Sequence, residues 1–160
     1  MSTDRQTSRP SEAKLATPSV APAVVRPETL ARFRHAVQGR LTLVCAPAGY
    51  GKSTVTAAAV EALSLTAAWY KLDVLDHDPA TFLGGITHAL RRQAPALGEA
   101  LLERLRTTTQ VPFPVEEIAA ALVAECEEHV SSAMHLVLDD LRRLSGILGV
   151  DDHLNIGDVR

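Results

Sequence analysis

The stretch that most constrains this chain runs from Leu41 to Leu63, LTLVCAPAGYGKSTVTAAAVEAL. Leu41 to Cys45 is a short continuous apolar run flanked by Gly39 and Pro47. That composition predicts a strand buried on both faces, as in a parallel sheet. The run breaks into Ala46-Pro47-Ala48-Gly49-Tyr50-Gly51, and Ser53 to Leu65 then has the composition of a helix. A strand that turns through glycines directly into a helix is a demanding local structure, and it calls for a reason.

Phosphate-binding loops follow Gly-x-x-x-x-Gly-Lys-[Ser/Thr] between a strand and a helix. The window Ala46 to Ser53 matches at every position except the first, where Ala46 replaces glycine. Gly49 and Gly51 allow successive N–H groups to turn inward toward phosphate oxygens with no Cβ in the way. Lys52 supplies a point charge for terminal phosphates. Ser53 offers a hydroxyl to Mg²⁺, and the helix start adds N–H groups and its positive dipole end. Ala46 precedes a proline and is pushed toward extended geometry, which suits a residue leaving a strand. The bland alternative is a glycine-rich connection that happens to precede a lysine.

Downstream, His135-Leu136-Val137-Leu138 is an apolar run ending in Asp139-Asp140. Mg²⁺-nucleotide chemistry needs such an arrangement: Asp139 near the metal shell and Asp140 available to orient water. Carboxylates also commonly begin turns at strand ends, so this pattern gains weight only from the loop upstream. Asp73, Asp76 and Asp78 read as turn-solvating and helix-capping residues rather than metal ligands. The histidines show no catalytic partner in sequence. Arg91-Arg92 and Arg142-Arg143 read as surface charge.

Between these landmarks, Arg26-Pro27 opens a helical pattern that ends at Gly39. Ala67 to Leu72 reads as a strand, and Asp78-Pro79 as the cap and first turn of a helix to about Gln93. Leu97 to Leu105 and Val115 to Val130 read as further amphipathic helices. Residues 1–25, rich in Ser, Thr, Pro and Ala, read as a disordered leader. The order of elements predicts an α/β fold: a parallel sheet of P-loop NTPase type with flanking helices, incomplete at about three strands.

Composition restricts the alternatives. Apolar residues make up 46% and charged residues 22%, so a core is available, but with aromatics at 4% it must be aliphatic. A net charge of −3 argues against a broad nucleic-acid footprint. Cys45 and Cys126 have no ligand spacing and read as two buried thiols in a reducing cytosol. There is no secretory h-region and no run near the ~18 apolar residues of a membrane span, so a cytoplasmic location is expected.

With both landmarks in hand, the chain resembles the STAND class of P-loop NTPases, specifically the large MalT-like, LuxR-family ATP-dependent transcriptional regulators. Arg26-Pro27 with its helix, RLTLVCAPAGYGKST, AAWYKLDVLDHDPATFLGGITHAL and HLVLDDLRRL carry the resemblance, over about residues 26–144. It implies an ATP/ADP switch domain. Gly49, Tyr50, Gly51, Lys52, Ser53 and Thr54 would hold the phosphates, Ser53 and Asp139 would hold Mg²⁺, and Asp140 would orient water. Arg26 and Pro27 sit where family members approach the adenine.

Family members run for hundreds of residues past the acidic pair, whereas residues 145–160 form a tail unlike that continuation. In the family a later strand lies between the loop strand and the acidic strand. The expectation is therefore a truncated nucleotide-binding module with weak or no ATPase activity alone, no direct DNA binding, no membrane contact, and homo-oligomerisation through the NTPase domain in a full-length protein. A small stand-alone P-loop kinase or ATPase and a non-binding fragment are the alternatives.

Overall fold

The computed structural model describes residues 9–19, 25–109 and 112–144. The tail 145–160 and leader residues 1–8 and 20–24 lie outside them. The described residues form two compact units: 9–16 with 67–144, and 17–66.

The larger unit is built on two parallel strands, β1 (Ala67–Lys71) and β2 (His135–Asp139), in direct register from Ala67 opposite His135 to Lys71 opposite Asp139. Parallel neighbours need a crossover, and here it is helical. It comprises α4 (Pro79–Arg91), α5 (Glu99–Thr107) and α6 (Val115–His129). Asp78 caps α4 by accepting from the Thr81 N–H at 2.9 Å, and Pro79 occupies the first turn, as the Asp-Pro pair predicts. Leu83, Ile86, Leu90, Leu97, Leu101, Leu105, Ile118 and Leu122 are buried together with Tyr70 and Leu72. Apart from Tyr70 this cluster is aliphatic, as the low aromatic content requires.

Gly85 sets how closely α4 approaches the sheet. A Cβ there would lie 2.0 Å from the Tyr70 ring, so only glycine permits this helix and strand to meet. Gln93 Nε2 ties the end of α4 to the Ala67 carbonyl at 3.0 Å. At the start of α5, Glu125 of α6 accepts from the Gly98 N–H at 2.7 Å, joining the two helices.

A short helix, α1 (Glu12–Leu15), also belongs to this unit and packs on β1. It falls within the segment read from sequence as a disordered leader. Leu15 is buried in the core, Lys14 pairs with Asp73 and Asp76, and Glu12 pairs with Arg92. One turn carrying a single buried apolar residue has no periodicity for composition to detect.

In the smaller unit, α2 (Pro27–Ala36) and α3 (Lys52–Ala62) form where the pattern predicts. The strand expected at Leu41–Cys45 does not. That segment enters no ladder among the described residues, so the sheet has two strands rather than about three. Leu41 is 85% exposed and Leu43 44%. An apolar run becomes a strand only when another strand satisfies its backbone, and none of the described strands pairs with it. Cys45, within that segment, is exposed for the same reason, and Cys126 on α6 is only partly buried, which corrects the expectation of two buried thiols.

His88 on α4 is half-buried, and its pKa is depressed, first by desolvation and then by the charges of Arg9, Arg91 and Arg106. Its contribution to stability is present above the ordinary value of 6.5 and is lost as pH falls through the depressed one. Urea midpoints measured from pH 7.5 to 5.5 should decline, and the decline should be shallower in His88→Gln.

Candidate functional site

The predicted phosphate loop lies wholly in the smaller unit. Gly49 and Gly51 have φ of +82° and +71°, backbone conformations that side chains rarely adopt. Gly51 is the N-cap of α3 and Lys52 its first residue, so the loop turns directly into a helix N-terminus. The Val55 N–H closes the first turn on the Gly51 carbonyl at 2.8 Å. Gly51 has no side chain with which to cap, and no acidic residue occupies the first turn. The helix dipole there is not offset by a local carboxylate.

Lys52 folds back over its own loop. Its Nζ donates to the carbonyls of Ala46 at 2.7 Å and Pro47 at 3.0 Å. Ser53 is half-buried, Thr54 is exposed, and Tyr50 between the glycines is 74% exposed. Arg26 is exposed as the N-cap of α2, and Pro27 is that helix's first residue. The sequence-predicted loop residues therefore come together as one local turn, with Arg26 and Pro27 in the same unit.

The acidic pair lies in the larger unit, at the carboxyl end of β2. Asp139 closes the strand, and its Oδ1 accepts from the Asp140 N–H at 3.0 Å. Asp140 has φ +61°, an unusual conformation for a residue with a side chain. Its carbonyl accepts from the Arg143 N–H at 2.9 Å within the 3-10 turn Leu141–Leu144. The chain thus makes a tight turn immediately after the strand and presents two adjacent carboxylates there. Among the described residues no group of three or more His, Cys, Asp or Glu side chains converges in the manner of a metal site.

Beside this turn is a cluster that sequence reading missed. Asp73 caps the 3-10 turn Val74–His77 by accepting from the Leu75 N–H at 2.9 Å. Asp76 is not a turn-solvating residue, for it is buried. Its Oδ2 accepts from the Asp73 N–H and from Lys14 Nζ, each at 2.7 Å, and its Oδ1 accepts from the Tyr70 hydroxyl. Desolvation and the adjacent Asp76 push the Tyr70 phenol well above its usual range, so it stays a donor. Burial pushes the Asp73 carboxyl upward, but the Leu75 N–H and the Lys14 ammonium outweigh it and hold its pKa below the ordinary value. Only the Asp-x-x-Asp spacing hinted at a capping box; the cation comes from a distant part of the sequence.

The chain is similar to short regions of much longer proteins. It is 38% identical over 117 residues to the HTH-type transcriptional regulator MalT of Serratia proteamaculans, covering 73% of this chain and 12% of that protein. It is 37% identical over 70 residues to MalT of Vibrio cholerae, covering 44% of this chain and 8% of that one. The serine/threonine-protein kinase PknK of Mycobacterium tuberculosis is 32% identical over 109 residues, covering 66% of this chain and 10% of PknK. The chain thus spans about a tenth of the length of these curated relatives. No family model matches it, and no solved structure matches it. Among the described residues no helix is long and apolar enough to cross a membrane.

Proposed function

We propose that the chain is part of an ATP/ADP-switch domain of a MalT-like regulator, binding a nucleoside triphosphate with Mg²⁺ and turning it over weakly or not at all by itself. The carrying observation is the loop geometry: two glycines at positive φ deliver Lys52 as the first residue of a helix whose first turn holds no acid. A helix N-terminus preceded by such a turn attracts phosphate through its N–H groups and dipole. The residues fit the group. Gly49 to Thr54 would hold the phosphates, Ser53 would reach the metal, and an anion would compete with the Ala46 and Pro47 carbonyls for the Lys52 ammonium. In the larger unit, Asp139 and Asp140 would be the carboxylates for a metal and for a water. Bound Mg²⁺ would offset phosphate charge. Similarity to MalT and PknK regions supports a regulatory context. On this reading DNA contact belongs to other parts of a larger protein, and homo-oligomerisation through this domain to the full-length protein.

Thermal melting with and without Mg²⁺-ATP tests the proposal. A ligand at a hundredfold excess over Kd that binds only the folded state adds about 2.7 kcal/mol. At roughly 2–4 °C per kcal/mol, the midpoint should rise by roughly 5–10 °C. Lys52→Ala should abolish that shift and leave the unliganded midpoint nearly unchanged, because its two carbonyl contacts are exposed. A cooperative melt that ATP does not move would refute nucleotide binding by this chain.

A further inference from the structure

We infer that Lys14 is a positioning residue for the acidic turn at Asp139–Asp140, acting through the loop that follows β1. The larger unit contains a continuous physical path between them. Lys14 Nζ reaches Asp76 Oδ2 at 2.7 Å and Asp73 Oδ2 at 3.1 Å, and stands 5.2 Å from the centre of the Tyr70 ring. The Asp76 side chain has no exposure at all, so those partners stand where water would. Both of its oxygens are used, by Tyr70 on one side and by Lys14 and the Asp73 N–H on the other. These bonds define the shape of the loop from Asp73 to Asp78.

Two contacts carry that shape to the acidic turn. The Leu72 N–H donates to the Asp139 carbonyl at 2.9 Å, extending the β1–β2 ladder one residue beyond the strand end. The 3-10 turn Val74–His77 lies beside the 3-10 turn Leu141–Leu144 that follows Asp140. Asp140 sits between those contacts with its backbone at φ +61°. A residue in a sparsely populated conformation stays there only where its surroundings over-determine it. Here the surroundings are the turn's own bonds, Asp140 N–H to Asp139 Oδ1 and Arg143 N–H to the Asp140 carbonyl, together with the loop that Lys14 holds beside it. Leu15 adds the anchor, buried next to Lys14 and keeping α1 on the strand. The consequence for Mg²⁺ rests on the acidic turn handling the metal, as proposed above; the mechanical coupling does not.

Hydrogen exchange on the full chain without nucleotide tests the coupling. In Lys14→Met, the amides of 72–78 and 139–143 should exchange at least tenfold faster relative to those of α6, and Lys14→Arg should restore most of the protection. Asp73→Asn keeps a capping oxygen while removing one of the two carboxylates that Lys14 pairs with, so it provides a milder variant should Lys14→Met lose its fold. It should accelerate the same two segments to a smaller degree. Acceleration confined to 12–16 and 73–76, with 139–143 at the wild-type rate in both variants, would overturn the inference.

Nucleotide affinity measured in Mg²⁺ and in EDTA gives the functional readout. Lys14→Met should lose at least tenfold of the Mg²⁺-dependent increment, keep its affinity in EDTA, and be rescued by arginine. An unchanged Mg²⁺ increment despite faster exchange at 139–143 would overturn the metal consequence. A wild-type chain that binds no nucleotide would defeat the proposed function, and the exchange data would still decide the coupling.

Discussion

Replacing Gly85 by alanine should destabilise the larger unit by about 3 kcal/mol, the upper part of the usual cost of overpacking a well-packed core. The added methyl would stand 2.0 Å from both the ring carbon bearing the hydroxyl and the hydroxyl oxygen of Tyr70. Tyr70 has no room to yield. It is fully buried and its hydroxyl is held by Asp76, so moving the ring breaks the bond to a buried carboxylate. Differential scanning calorimetry should show the midpoint falling by roughly 6–12 °C, at roughly 2–4 °C per kcal/mol. A double-mutant cycle with Tyr70→Ala checks the cause. The two losses should be strongly sub-additive, because the clash vanishes with the ring. Full additivity would mean that α4 and β1 part without involving this contact.

Asp76→Ala should cost about 3 kcal/mol as well, for an electrostatic reason. Breaking a buried charge pair leaves the remaining partners desolvated and unsatisfied, which typically costs about 3–5 kcal/mol. The stranded groups here are the buried Tyr70 hydroxyl and the Asp73 N–H, while Lys14, at 17% side-chain exposure, recovers some hydration by turning outward. The Lys14→Met, Asp76→Leu double variant should be less destabilised than Asp76→Ala, since replacing both charges by apolar groups leaves no unpaired charge. Urea denaturation of the three proteins at pH 7 provides the comparison. If Asp76→Ala melted like the wild type, the cluster would be decoration on the loop rather than its support.

Local chemistry made much of this molecule legible from its residues alone. The Asp78-Pro79 pair marked the start of α4 because cap and first-turn preferences act within four residues. The apolar period located α6, and the two glycines before Lys52 announced the positive-φ turn found at Gly49 and Gly51. The apolar runs at β1 and β2 became strands because each is the other's partner. Leu41 to Cys45 has equal strand character and made none, since pairing is supplied from elsewhere in space and no local preference can guarantee it. The Lys14–Asp76 pair was out of reach for the same reason: two ordinary surface-type residues, far apart in sequence, become a buried ion pair only once α1 packs on β1. Residue order alone sufficed for the glycine loop and for helices α2 to α6, because each depends on neighbours within a turn or two. Tertiary structure alone decided which apolar runs pair and which carboxylate is buried, because both depend on the energy of contacts that the chain order does not contain.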